Sequence, residues 1–359
     1  MSVNNRRVTI KDIAQQAGVS IGSVHCALND KPGVSDSTRQ KIISIANQLQ
    51  YQANTVAASL KSKPKLIAQA FPGPTEEFRY YFSHMWDGCR DYVKTIRDFN
   101  VDVVEVPYYN MENNLAEELR GVRERNEVDG LVAFGNMDAQ AVEELNVFLQ
   151  RGIPVILVGA DIPQSGRLLS VMPNYFTIGK MLAEIITRQI NQSAEILVCA
   201  GDVVLPSHNL VLQGLGAYLE ENELTNPVYK IHTSFNNRMD YGRIVYELEK
   251  HPDIEACTCV YARGSLLLGQ ALKDTGRVGR VIAIGSDMFE ENVELLREGV
   301  FTNLLNKNPY LQAYTAIRCM TDYLLRGVVP SKSILYTGSE FVFQSNLEMY
   351  DNGFYRLLL

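Results

Sequence analysis

Five histidines, His25, His84, His208, His232 and His251, are the side chains best suited to acid–base or metal chemistry, and their spacing argues against both. No pair stands at the His-x-x-x-His interval that puts two ligands on one helix face, and none has a triad-like setting. Gly214-Leu215-Gly216 lacks the rest of a dinucleotide-binding loop, and no Walker-type phosphate loop occurs. Cys26, Cys89, Cys199, Cys257, Cys259 and Cys319 are scattered without metal-ligand or redox-pair spacing, which predicts reduced, structural thiols. The expectation is a protein with no catalytic residue, metal site or cofactor, whose chemistry is recognition.

Recognition has a clear candidate in residues 8–29, Val-Thr-Ile-Lys-Asp-Ile-Ala-Gln-Gln-Ala-Gly-Val-Ser-Ile-Gly-Ser-Val-His-Cys-Ala-Leu-Asn. Ile10, Ile13, Ala14 and Ala17 recur at helical spacing, Gly18 supplies a stop, and Ser20 can cap a second helix. Val24, Ala27 and Leu28 would pack that helix back on the first. Two helices joined this tightly form a helix-turn-helix, whose second helix suits the major groove of DNA. The turn-forming run Asp30-Lys31-Pro32-Gly33-Val34 follows, and Ser35 caps a third helix with Ile42, Ile45, Ala46 and Leu49 on one face. In residues 51–64, Asn54 or Thr55 can cap a short helix ending near Leu60, before Pro64. So short a helix needs a partner or DNA to be stable.

Charge is divided as a DNA-binding head would require. The whole chain carries 34 Lys or Arg, 41 Asp or Glu and a net charge of −7. Residues 1–63 hold eight Lys or Arg against three Asp, so the head is basic and the remainder acidic. A length of 359 residues calls for more than one domain. No run of about 18 apolar residues would span a membrane, and Met-Ser-Val-Asn-Asn-Arg-Arg leads into polar helix, so a cytoplasmic location is expected.

From residue 66, apolar runs alternate with helical stretches. Leu66–Phe71, Val101–Val106, Gly130–Phe134 and Pro154–Val158 form one series, and Glu195–Ala200, Val228–His232, Ala256–Tyr261 and Arg280–Gly285 a second. This pattern predicts an α/β body of two doubly wound parallel-sheet lobes, with ligand outside the strand ends.

Val-Thr-Ile-Lys-Asp-Ile-Ala, Ala-Gly-Val-Ser, Ala-Leu-Asn, Gly-Val-Ser-Asp-Ser-Thr-Arg and Tyr-Gln-Ala-Asn-Thr-Val-Ala-Ala-Ser-Leu, at their spacing here, resemble the lactose-repressor (LacI/GalR) family of bacterial transcription regulators. The resemblance implies a helix-turn-helix domain at 1–50, a hinge at 51–64 and a periplasmic-binding-protein-like effector domain at 65–359. Crossings between lobes are then expected near 162, 290–308 and 330, giving an N-lobe of about 65–162 and 307–329 and a C-lobe of about 163–306 and 330–359.

Carried over by position, Ile21, Gly22 and Cys26 would face base edges, and Thr9, Ser20, His25 and Asn29 would lie near phosphates. Asn54, Ala57 and Leu60 would belong to the DNA-contacting hinge, with Leu60 as a minor-groove wedge. His25-Cys26 departs from the serine followed by arginine or histidine common in relatives, so bidentate base contacts are lost there. Ile21 against thymine methyl groups, and DNA shape, would then carry more of the specificity. Cys26 could equally be a packing residue, and His25 an ordinary exposed one.

In the cleft, Tyr81 and Phe82, with Gly88 six residues on, match an aromatic pair that stacks on sugar rings. The alternative places Tyr80, Tyr81, Phe82 and Trp86 in the core. Asp287 matches a sugar-hydroxyl acceptor, or else caps the next helix. Asn209 lies near the position of a family arginine and could reach the cleft. Arg263 and Lys307 stand where sugar-binding relatives carry Asn and Gln. Two cations there would suit an anionic sugar derivative, unless they pair with Asp287 or neighbouring acids. The expected protein is thus a homodimeric repressor on a near-palindromic DNA operator, gated by a sugar or sugar derivative. The competing expectation is a sugar-binding protein without a regulatory role, which leaves the basic head unexplained.

Overall fold

The computed structural model describes residues 8–28, 31–49, 51, 63–109, 114–125, 127–135, 138–163, 165–233 and 240–351. The chain divides into two compact units, Met1–Lys63 and Pro64–Leu359. In the first, helices α1 (Ile10–Ala17), α2 (Ile21–Leu28) and α3 (Asp36–Gln48) enclose Ile13, Ala14, Ala17, Val24, Ala27, Ile42, Ile45 and Ala46. The capping follows from the residue types. Asp12 accepts from the Thr9 amide at 2.7 Å, the Ser20 hydroxyl accepts from the Ser23 amide at 3.0 Å, and Gly18 takes a left-handed φ of 68°.

Helix α3 also closes the carbonyl ends of the other two. Arg39 donates to the Cys26, Ala27 and Lys31 carbonyls at 3.1, 3.2 and 2.7 Å, and Lys41 donates to the Ala17 carbonyl at 2.9 Å. Cations are favoured there because unpaired carbonyls concentrate negative charge at a helix C-terminus.

The second unit holds two six-stranded sheets. Sheet A has the order β11-β5-β4-β3-β1-β2 and is parallel throughout. Its strands are β1 (Lys65–Pro72), β2 (Val101–Tyr108), β3 (Gly130–Phe134), β4 (Val155–Val158), β5 (Leu169–Pro173) and β11 (Ile334–Thr337). Helices α4 (Arg79–Thr95) and α12 (Pro309–Arg326) pack Met85, Trp86, Ile317 and Met320 on one face. On the other, α5 (Asn114–Arg125) and α6 (Ala139–Gln150) pack Leu115, Leu119, Leu145 and Phe148.

Sheet B has the order β12-β10-β9-β8-β6-β7, with β12 antiparallel at its edge. It is built from β6 (Glu195–Asp202), β7 (Val228–Thr233), β8 (Ile254–Cys259), β9 (Ile282–Ser286), β10 (Asn303–Asn306) and β12 (Glu340–Val342). Helices α7 (Tyr175–Thr187) and α8 (Pro206–Glu221) cover one face, and α9 (Asp240–Lys250), α10 (Ala262–Asp274) and α11 (Glu290–Arg297) the other. The α7–α8 approach requires glycine. A Cβ on Gly179 would stand 2.0 Å from the Val211 carbonyl oxygen, and one on Gly214 1.9 Å from that of Phe176.

All eight strands read from the apolar runs are present, but the lobe boundaries shift. The crossing expected near 162 follows β5, because Leu169–Pro173 pairs with β4 and extends sheet A. The one expected near 330 falls between β11 and β12, because Ile334–Thr337 pairs with β5. The middle crossing falls between β10 and α12, at residues 307–308. Among the described residues, no helix is long and apolar enough to cross a membrane.

Replacing Arg39 by alanine should leave the ends of α2 and the 31–34 turn unsupported. We expect a loss of about 1–2 kcal/mol within the head. Amide exchange in α2 should accelerate roughly 5- to 30-fold, with exchange in the body unchanged.

Candidate functional site

A cavity of about 160 Å³ opens in the second unit between its two lobes. Its lining comes almost entirely from the carboxyl ends of strands and the segments that follow. From the N-lobe come Phe78, Tyr81 and Phe82 after β1, Phe134 at the end of β3, Ala160 after β4 and Tyr175 after β5. From the C-lobe come Asp202 at the end of β6, His208 beyond it, Tyr261 and Arg263 after β8, Asp287 after β9 and Lys307 after β10. In each sheet the chain winds one way to β2 or β7 and the other way from β3 or β8, so the cavity lies where doubly wound folds place ligands.

Charge at the cavity is carried by a buried pair. Lys307 Nζ stands 3.0 Å from Asp287 Oδ2, with the two side chains 8% and 2% exposed. The ammonium also donates to the Val260 carbonyl at 3.0 Å and sits 5.7 Å from the centre of the Tyr81 ring. Ser286 donates its hydroxyl to Asp287 Oδ2 at 3.0 Å, whereas Oδ1 has no hydrogen-bond partner among the described residues. Burial pushes the Asp287 carboxyl above its ordinary value, while Lys307 and Ser286 pull it back. Asp287 has a φ of 73°, a left-handed conformation that non-glycine residues adopt at a cost of about 1–3 kcal/mol and that clusters at functional sites.

Aromatic rings form much of the remaining wall. Phe82 packs edge-on against Phe78, Tyr81 and Phe134, with centroids 5.9, 5.3 and 5.0 Å apart. The Gln312 amide donates to the Tyr81 hydroxyl at 3.1 Å and to the Lys307 carbonyl at 2.7 Å, fixing α4 against the lobe crossing. Tyr175 donates its hydroxyl to the Gly159 carbonyl. His208 accepts the Asp202 amide on Nδ1 at 3.0 Å, and burial together with the Lys307 charge pushes it down to about 3. Where the lobes meet, Tyr80 packs against Phe289 with centroids 4.5 Å apart and the rings tilted by 38°, and Arg79 pairs with Glu291.

Five of the six cleft residues named from sequence, Tyr81, Phe82, Arg263, Asp287 and Lys307, therefore line one cavity. Asn209 is not among the lining residues. Its amide donates to the Val203 carbonyl at 2.6 Å, and the preceding residue, His208, lines the cavity instead. Phe82 lines the cavity and is also buried in the N-lobe core, while Trp86 is core alone and donates to the Pro72 carbonyl at 2.8 Å. Asp287 does not cap α11, whose N-cap is Phe289, and it takes up Lys307 instead. Phe78, Phe134, Tyr175, Tyr261 and His208 escaped the sequence reading, although the place of Phe134 and Tyr261 at the carboxyl end of a recognised apolar run marked them.

In the first unit, Thr9, Ser20, Ile21, Gly22 and His25 are exposed, Ile21 to 50%, and Cys26 is half-buried with its sulfur facing the Gly33 turn. Asn29, Asn54, Ala57 and Leu60 lie outside the described residues.

Two parallel-sheet lobes opening their strand ends onto one cavity define a two-lobed binding-protein body, and the same chain carries a helix-turn-helix head. Residues 70–327 match the periplasmic binding protein domain, and residues 9–54 match the bacterial regulatory proteins of the lacI family. The chain belongs to the periplasmic binding protein domain family over residues 70–327 and carries a lacI-type head at 9–54. It is similar to catabolite control protein A of Priestia megaterium, 30% identical over 172 residues, covering 47% of this chain and 48% of that protein. It is also similar to the ribose operon repressor of Bacillus subtilis (strain 168), 27% identical over 219 residues, covering 60% and 61%. The chain thus spans about half the length of the first relative and three fifths of the second. A solute-binding protein of an ABC transporter from Burkholderia graminis, solved with D-arabinose, shares the body's fold at a TM-score of 0.71 and 18% identity, covering 80% of this chain and 98% of that one.

Two measurements probe the site. Asp287→Ala strands a buried ammonium and should cost the body about 3–5 kcal/mol in urea unfolding, whereas adding Lys307→Met should recover much of that loss. His208 has a folded pKa of about 3, below its unfolded value, so its contribution is complete above pH 6.5 and is lost as pH falls toward 3. Between those limits the wild-type body should lose about 1.4 kcal/mol per pH unit relative to His208→Gln.

Proposed function

We propose that this protein is a ligand-responsive transcriptional repressor, acting in the cytoplasm as a homodimer on a near-palindromic operator. The observation that carries this reading is an exposed second helix of a lacI-type head in the same chain as a cavity between binding-protein lobes. Neither half explains the other unless ligand occupancy controls the grip on DNA.

At the DNA, α2 enters the major groove. Ile21 contacts thymine methyl groups, Gly22 permits close approach, and Thr9, Ser20, His25 and Asn29 lie near phosphates. Cys26 stays beside the Gly33 turn and contributes shape rather than hydrogen bonds. The hinge residues Asn54, Ala57 and Leu60 add minor-groove contacts that kink the duplex. Two weak half-site contacts act together because the dimer sets a high effective concentration.

At the cavity, the effector is a sugar or sugar derivative. Asp287 Oδ1 is a ready acceptor for ligand hydroxyls, Tyr81 and Phe82 offer ring faces, and Arg263 stands at the lining. Pairing of Lys307 with Asp287 leaves little net positive charge, which favours a neutral polyol over a sugar acid or phosphate. The cavity is formed by both lobes, so a ligand that touches both favours the closed arrangement and couples to DNA binding through the states of the dimer.

A chain lacking residues 1–63 tests the reading. It should bind monosaccharide as the full chain does and lose DNA binding, measured by titration calorimetry and by electrophoretic retardation of DNA fragments selected on the full chain. Retained DNA binding by the truncated chain, or a full chain that selects no fragment, would contradict it.

A further inference from the structure

Among the polar groups at the cavity, His208 was not expected from the sequence, and its surroundings give its ring a single useful orientation. It lies in the first turn of α8, with Nδ1 accepting the Asp202 backbone amide at 3.0 Å. Its ring packs against Tyr261, centroids 5.6 Å apart. Residue 201 is glycine, where a Cβ would come within 2.5 Å of Nδ1, so the chain leaves room for the imidazole. The Asp202 carboxylate accepts the Val204 amide on Oδ1 at 3.0 Å, while the backbone amide of the same residue holds the ring through Nδ1.

An imidazole that accepts on Nδ1 carries its proton on Nε2 when neutral. The surroundings keep it neutral, since burial and the nearby Lys307 ammonium both oppose a second proton. None of the described residues accepts from Nε2. The cavity therefore holds a fixed N–H donor from α8 in addition to the Asp287 Oδ1 acceptor after β9.

We propose that His208 donates its Nε2–H to one oxygen of a neutral monosaccharide and selects against ligands that lack an acceptor at that point. This rests on reading the cavity as a sugar effector site, and adds a specificity-determining residue to it. An amino sugar whose ammonium falls there is rejected because it has no acceptor to offer. A deoxy sugar lacking that one hydroxyl leaves the donor unpaired.

The test is titration calorimetry on the full-length protein with D-ribose, D-arabinose and D-glucose, then with each monodeoxy analogue of whichever sugar binds. One analogue should bind wild type roughly 10- to 100-fold more weakly than its parent because the donor goes unpaired. In His208→Phe, which keeps a flat ring but has no donor, that one penalty should collapse toward unity while the other deoxy penalties persist. His208→Gln, which keeps an N–H donor, should retain the preference and serves if the phenylalanine variant does not fold. All deoxy penalties surviving in His208→Phe, or the preference lost equally in His208→Gln, would overturn the role of His208. A wild-type chain that binds none of the three sugars would overturn the sugar reading beneath it, an outcome visible before any variant is made.

Discussion

A lysine ammonium buried at the seam between two lobes governs the binding half of this molecule. The Lys307 and Asp287 side chains are almost wholly buried, and removing such charges from water costs several kcal/mol per ion even after relaxation. A buried pair of this kind is seldom more stable than apolar packing, so its value has to lie elsewhere. Its place suggests where. Asp287 ends a C-lobe strand, and Lys307 is the last C-lobe residue before the chain passes through Asn308 into α12 of the N-lobe. The Tyr81 ring and the Gln312 amide, both from the N-lobe, complete its surroundings. The cavity and the path between lobes share the same residues.

Everything else about the cavity follows from strand direction. Parallel strands send all their carboxyl ends to one edge, and each sheet reverses its winding once, leaving a crevice there. Two such sheets facing each other supply rings from one lobe and mostly polar groups from the other. Tyr80 against Phe289 and Arg79 against Glu291 then join the lobes directly. The head obeys a separate logic, in which a small core is supplemented by Arg39 and Lys41 capping the other helices from α3.

Much of this was legible in the residues, and the failures have physical causes. Interior strands such as β3 and β4 were continuous apolar runs, as strands buried on both faces must be. The edge strands β2 and β7 still showed enough apolar residues between Asp102, Glu105 and Lys230 to be found. Leu169–Pro173 was missed because Ser170 interrupts it; Ser170 is buried, with its hydroxyl donating to Asp161. Asn303–Asn306 begins and ends in asparagine, and Ile334–Thr337 and Glu340–Val342 lie at sheet edges where alternation is weak. These omissions moved two lobe crossings. Asn209 and His208 differ by one position on a helix, a rotation of about 100°, so a one-residue error chose the side chain that turns away. Asp287 was brought to the cleft by resemblance, and its pairing with Lys307, one of the two roles the sequence offered that cation, joins residues 20 positions apart, so no spacing rule could select it over a ligand-facing charge.

The central claim is that ligand and DNA compete for, or share, one conformational equilibrium, and linkage makes it measurable from either end. The direct measurement is the affinity of the body's sugar for full-length protein in the absence and in the saturating presence of a DNA fragment selected on that protein, paired with the DNA affinity with and without the sugar. The account predicts that the two affinities change by the same factor, about 5- to 150-fold for a typical allosteric coupling. A sugar affinity that DNA leaves unchanged, with tight DNA binding otherwise intact, would contradict it.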